Sequence, residues 1–82
     1  MAEEIGIITH YFDQVRVAVI KLSGNLKVGD KVMVKGSTTD FIQKIKSIQV
    51  NHKDTGYAKN GEDIGLKVIE RVRPKDKVFL ID

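Results

Sequence analysis

The chain has 82 residues and no cysteine, and its 14 basic against 11 acidic side chains give a formal net charge of +3. A length of this order makes one small domain, residues 1–82, that buries only about 60–65% of its unfolded surface. The lack of cysteine excludes a disulfide framework and a thiolate metal site. No apolar run approaches the roughly 18 residues of a membrane span and no signal-peptide pattern opens the chain, so a soluble, cytoplasmic protein with no membrane partner is expected.

The stretch from Ile5 to Phe12 is rich in β-branched and aromatic residues and is bounded by Asp13-Gln14, which predicts a first strand. Val15 to Leu22 predicts a second, joined to the first by a hairpin-length connection. Val15, Val17 and Val19 share one face, which is assigned to the interior. Ala18, Ile20 and Leu22 then form an apolar patch on the outside, of the kind that receives a protein partner or a second copy in a homodimer.

Gly24 to Gly36 reads as turn, short extended connection, second turn and strand, with Gly24 and Gly29 expected at positive φ. The two glycines have the spacing of a phosphate-binding loop. However, Asp30-Lys31-Val32 stands where Lys followed by Ser or Thr is needed, and a strand follows in place of a helix, so no nucleoside triphosphate is expected. Lys31 to Lys35 is the third strand, with Val32 and Val34 inward.

A long fourth strand is predicted from Phe41 to about His52. The three-residue step from Ile45 to Ile48 breaks the period of two, as a helical turn or a β-bulge would; the β-branched surroundings favour the bulge. Residues 54–63 are a loop by composition. Ile64, Leu66 and Val68 alternate with Gly65 and Lys67 as a fifth strand, and Lys77 to Ile81 is the sixth, after a turn around Pro74. Pro74-Lys75-Asp76-Lys77-Val78 echoes Val28-Gly29-Asp30-Lys31-Val32, a turn-into-strand device used twice. Six short strands without a convincing helix predict an all-β fold, a small closed six-stranded β-barrel, since closure removes sticky edges.

Side chains with reactive chemistry are sparse. His10 and His52, the only histidines, fall on different strands, and Ser23, Ser37 and Ser47 lack a nucleophile-elbow setting. Asp13, Asp30, Asp40 and Asp63 fall at turns, where aspartate caps backbone N–H groups. Neither a catalytic centre nor a metal or cofactor site is therefore expected, and the chain reads as a non-enzyme. Lys44, Lys46, His52 and Lys53 could form a basic stripe beside Gln49, and Arg71 and Arg73 start a second cluster with Lys75 and Lys77. Phosphate contact needs several such charges on one face, with an aromatic such as Tyr11 or Tyr57 nearby to stack a base.

Three motifs carry a resemblance. Gly24-x-Leu26-Lys27-Val28-Gly29-Asp30-x-Val32, Ile45-Lys46-Ser47-Ile48-Gln49-Val50 and Ala58-Lys59-Asn60-Gly61-Glu62-Asp63-Ile64-Gly65 together resemble the second domain of translational GTPases, the β-barrel of elongation factor Tu. Thr9-His10-Tyr11-Phe12 and Thr38-Thr39-Asp40-Phe41 are similar to a variant of that barrel at the C-terminus of the collagenase-like peptidase family, members of which have been linked to RNA modification. The first resemblance implies a tRNA-facing pocket at positions matched here by Ile20, Gln49 and Asp63, none of which keeps the elongation-factor residue. Taken together, the sequence leads to the expectation of a stand-alone, non-catalytic module related to translation factors. It would bind tRNA, rRNA or a component of the translation or RNA-modification machinery, or else a protein through the Ile20/Leu22 face.

Overall fold

The computed structural model describes residues 2–81. Ten strands follow one another: β1 (Glu3–Phe12), β2 (Val17–Leu22), β3 (Leu26–Lys27), β4 (Lys31–Lys35), β5 (Asp40–Lys44), β6 (Ile48–Val50), β7 (Lys53–Thr55), β8 (Tyr57–Ala58), β9 (Asp63–Lys67) and β10 (Lys77–Ile81). Eight form one sheet in the order β5-β4-β10-β1-β2-β9-β6-β7, and β3 pairs with β8 in a separate two-stranded sheet. The all-β fold agrees with the sequence, but the closed six-stranded barrel does not appear in the strand pairing. The ladder is open, with β5 and β7 as its edges.

One core fills the molecule. Ile5, Ile8, Ile20, Leu22, Val32, Val34, Phe41, Ile48, Ile64, Leu66 and Val78 belong to a single buried cluster. Since Phe41 on edge strand β5 and Ile48 on β6 near the other edge both reach it, the sheet must curl around it. Curvature is supplied by β1, whose register shifts between Glu4 and Gly6 against β10, and between Ile8 and His10 against β2. An extra residue on one strand of an antiparallel pair bends that strand and raises its twist. At the second bulge, Thr9 donates its hydroxyl hydrogen to the Val19 carbonyl at 3.2 Å.

Three turns share one construction, and each launches a strand. Asp30 N–H donates to the Lys27 carbonyl, Glu62 N–H to Lys59 and Asp76 N–H to Arg73, each at 3.1 Å. In return the acidic side chain accepts the N–H three residues back: Lys27 to Asp30 Oδ2 at 3.0 Å, Lys59 to Glu62 Oε1 at 2.7 Å and Arg73 to Asp76 Oδ2 at 2.9 Å. The residue before the acid lies in the left-handed region, at φ 100° for Gly29, 94° for Gly61 and 79° for Lys75. The repeated turn-into-strand device seen in the sequence is therefore used a third time, at Gly61-Glu62 before β9. Gly24 is not in that region; a Cβ there would meet Ile5 Cγ2 at 2.9 Å, so space rather than φ demands its glycine.

The expected facing of β2 is inverted. Ala18, Ile20 and Leu22 are 0%, 1% and 2% exposed, so they form no partner or dimer patch, while Val15 is exposed and Val17 and Val19 are half-buried. Ala18 pairs with Leu66 and Ile20 with Ile64, and residues directly opposite in an antiparallel ladder share a face. On β9 that face alternates with Gly65 and Lys67, which leaves Ile64 and Leu66 as the core side. The predicted long fourth strand is likewise two strands. Between them Ile45 gives its N–H to the Asp30 carbonyl and accepts the Gly29 N–H, so the three-residue step marks a break, not a bulge. Asn51 and His52, at φ 53° and 64°, make a tight two-residue turn from β6 into β7, the conformation that right-twisted hairpins prefer.

Ile20→Asp places a charge in the core and is expected to abolish cooperative unfolding, as read by thermal circular dichroism, whereas Val15→Asp leaves the melt unchanged. Within the three turns, Gly29→Ala should cost about 1–2 kcal/mol in urea unfolding, because a Cβ is disfavoured in the left-handed region. Lys75→Gly should add about 0.5–1 kcal/mol by removing the same penalty, less the added chain entropy.

Candidate functional site

Because β2 turns Ala18, Ile20 and Leu22 inward, Val17 and Val19 face outward and form one wall of a furrow. β9 is the floor. Val19 stands opposite Gly65, and Gly65 opposite Gln49 on β6. Gly65 has no side chain to fill the space; a Cβ there would meet Val17 Cγ1 at 3.4 Å and Gln49 Cβ at 3.9 Å. The furrow runs along β9 from Asp63 through Gly65 to Lys67 and on to Ile69 just beyond the strand, a span of at most roughly 20 Å at strand spacing.

At the Asp63 end the walls are Phe12, Val15, Val17 and Val19 on one side and Gln49, Asn51 and His52 on the other, around a space of about 390 Å³. Phe12, 53% exposed, stacks on His10 with ring centres 6.4 Å apart and planes 8° apart. The middle is bounded by Val15, Val17, Ser47, Gln49, Gly65 and Lys67. Gln49 leans its amide onto Asp54, Nε2 to Oδ1 at 3.3 Å. At the Ile69 end the furrow opens into a groove of about 510 Å³ lined by Arg16, Gln43, Lys44, Lys46, Ser47, Lys67, Val68 and Ile69.

Gln43 holds that end together. Its side chain points inward from edge strand β5 and is 9% exposed. The Nε2 group donates to the Lys67 carbonyl at 3.0 Å and Oε1 accepts the Ile69 N–H at 2.9 Å. One amide thus tethers edge strand β5 to the end of β9, beyond the point where β6 pairs with it. On the far side the Arg16 carbonyl accepts the Val68 N–H at 2.9 Å, and Arg16 itself sits at φ 58° in the turn between β1 and β2.

Of the residues proposed from the sequence for RNA contact, four lie along this furrow and three do not. Lys44 and Lys46 line the groove at the Ile69 end, Gln49 the middle and His52 the far end. Lys53 lies on β7, paired with Val50. Arg71 and Arg73 line a separate depression with His10, Tyr11, Phe12 and Pro74. Tyr57, the other aromatic considered, lies under Lys59, whose Nζ is 5.8 Å from its ring centre. Sequence reasoning missed Arg16, Lys67 and Gly65; pairing the fifth strand with the Val17–Val19 face would have found Gly65 and Lys67, whereas Arg16 reaches the groove from a turn.

Among the described residues, no three His, Cys, Asp or Glu side chains gather as a metal site, and no helix is long and apolar enough to cross a membrane. The fold and site define a small all-β module with a long surface furrow. The chain is 42% identical over 79 residues to an uncharacterised protease of Methanocaldococcus jannaschii, a match that covers 95% of this chain and 19% of that protein. It is 36% identical over 74 residues to a collagenase of Porphyromonas gingivalis, covering 88% of this chain and 20% of that one. The chain therefore spans about a fifth of the length of the curated relatives it matches. Its fold is that of the C-terminal domain of the "putative U32 peptidase" of Geobacillus thermoleovorans, with a TM-score of 0.91 at 19% identity over 98% of this chain and 93% of that one. No family model matches the chain.

These likenesses overturn the expected role in translation or RNA binding, because the relatives are named protease and collagenase. The resemblance to the second domain of elongation factor Tu gains no support from them, whereas the peptidase-type variant of the barrel agrees with the fold match. The assignment of Lys44, Lys46, Gln49, His52, Lys53, Arg71 and Arg73 to RNA lapses with the function.

The geometry of Gln43 predicts that Gln43→Leu, which keeps the volume but leaves the Lys67 carbonyl and Ile69 N–H unpaired, costs about 1–3 kcal/mol in urea unfolding. Hydrogen exchange should speed up first at the Ile69 amide.

Proposed function

We propose that this chain is a non-catalytic accessory domain of a protease-type enzyme, and that it holds an extended stretch of polypeptide along the β9 furrow. The observation that carries this reading is the furrow itself. It has an apolar wall from Val15, Val17 and Val19 and a floor lowered at Gly65. Its length matches about six residues of extended chain. The likeness to about a fifth of a protease and of a collagenase supports a part that works beside a catalytic unit rather than as one.

The acidic side chains support the same reading. Asp30, Glu62 and Asp76 are engaged with backbone N–H groups in turns, and Gln49 rests on Asp54. A carboxylate committed to a turn in this way is poorly placed for general acid–base work, which needs a group within reach of a substrate proton.

The test is a titration of isotope-labelled protein with peptides from digested gelatin and from digested, reduced casein. Binding along the furrow predicts shifts of the Val17, Val19, Gly65 and Lys67 amide signals, with those of β4 and β10 unmoved. Uniform absence of shifts at the highest soluble peptide concentration refutes the reading.

A further inference from the structure

The two ends of the furrow differ in charge. Asp63 and His52 stand at one end. At the other, Arg16, Lys44, Lys46 and Lys67 surround a floor of Gln43, Val68 and Ile69, and none of the described residues lining that groove is acidic. The four cations come from four separate places: the turn before β2, the end of β5, the link between β5 and β6, and the end of β9. Gln43 and the Arg16–Val68 hydrogen bond hold those segments against one another. The cations therefore converge on a braced groove.

We infer that this end of the furrow selects acidic polypeptide, taking Asp or Glu side chains among its cations and an aliphatic side chain on Ile69, which is 61% exposed. This rests on the reading of the furrow as a polypeptide site and adds the class and polarity of its occupant, acidic end towards Ile69. The composition of the groove favours a peptide over a nucleic acid. Single-stranded nucleic acids are held by aromatic platforms as well as cations, and none of the residues lining this groove is aromatic. An aliphatic floor with a cationic rim instead complements a chain in which aliphatic and carboxylate side chains lie close together.

The experiment compares three probes on the labelled full chain: a blocked hexapeptide ending in Leu-Glu-Glu, the same peptide with Gln in place of Glu, and a uridine hexanucleotide. The acidic peptide is expected to shift the Arg16, Lys44, Lys46, Lys67 and Ile69 amides and to bind about tenfold more tightly than its Gln counterpart at low salt, since exposed ion pairs each contribute modestly. Added salt should erase the difference. The triple variant Lys44→Gln, Lys46→Gln and Lys67→Gln, with its spectrum otherwise unchanged, should lose most of the preference for the acidic peptide, Arg16 being the one cation left. Equal affinity of the two peptides for the unaltered chain overturns the charge selection while leaving the polypeptide site standing. Tighter binding of the hexanucleotide at the same amides overturns it in favour of nucleic acid. Failure of both peptides to shift any furrow amide removes the underlying reading as well.

Discussion

The architecture depends on a reciprocal pair of hydrogen bonds made three times over. In each of the turns ending at Asp30, Glu62 and Asp76 the acid closes the turn through its own N–H and holds the turn's first N–H with its carboxylate. The strands that follow are β4, β9 and β10. β10 lies between β4 and β1, and β9 between β2 and β6, so these turns fix where the inner ladders of the sheet begin. A small chain without disulfides must set strand register locally, because a slip of one residue would reverse every side chain. The carboxylate-closed turn provides that local setting.

An open sheet wrapped around a single core meets a second problem, the gap between its edges. A buried side-chain amide ties one edge, β5, to the end of the inner strand β9. Gln43 can do this because an amide donates and accepts at once, matching one carbonyl and one N–H of the segment leaving β9. The same tether braces the groove where four cations gather, so one residue serves both packing and site geometry.

Much of this was legible in the sequence. The alternations of Lys31–Lys35 and Lys77–Ile81 give strands with those same bounds, and the echo between Gly29-Asp30 and Lys75-Asp76 points to the shared turn. What escaped did so for identifiable reasons. β2 is apolar on both faces, so periodicity cannot orient it; only its register with Ile64 and Leu66 does. β3, β7 and β8 have two or three residues each, too few to display a period. The Asn51-His52 turn reaches its left-handed geometry without glycine and so carries only the weaker signal of an asparagine. Lys44 and Lys46 could be nominated as contact residues, but the furrow they serve is assembled from β2, β6 and β9, and no single stretch of sequence contains it.

The strand that floors the furrow has a bearing on how tightly anything can be held there. β9 is hydrogen-bonded to β2 along its length and meets β6 at Gly65. Its main chain therefore has no free row of donors and acceptors on which a visiting strand could zip up, in contrast to an exposed sheet edge. A polypeptide held there, as proposed, would be gripped through its side chains without strand pairing to β9. Such a grip becomes effective when the ligand is also held elsewhere on the same molecule, because tethering converts a weak second contact into an intramolecular one at high effective concentration.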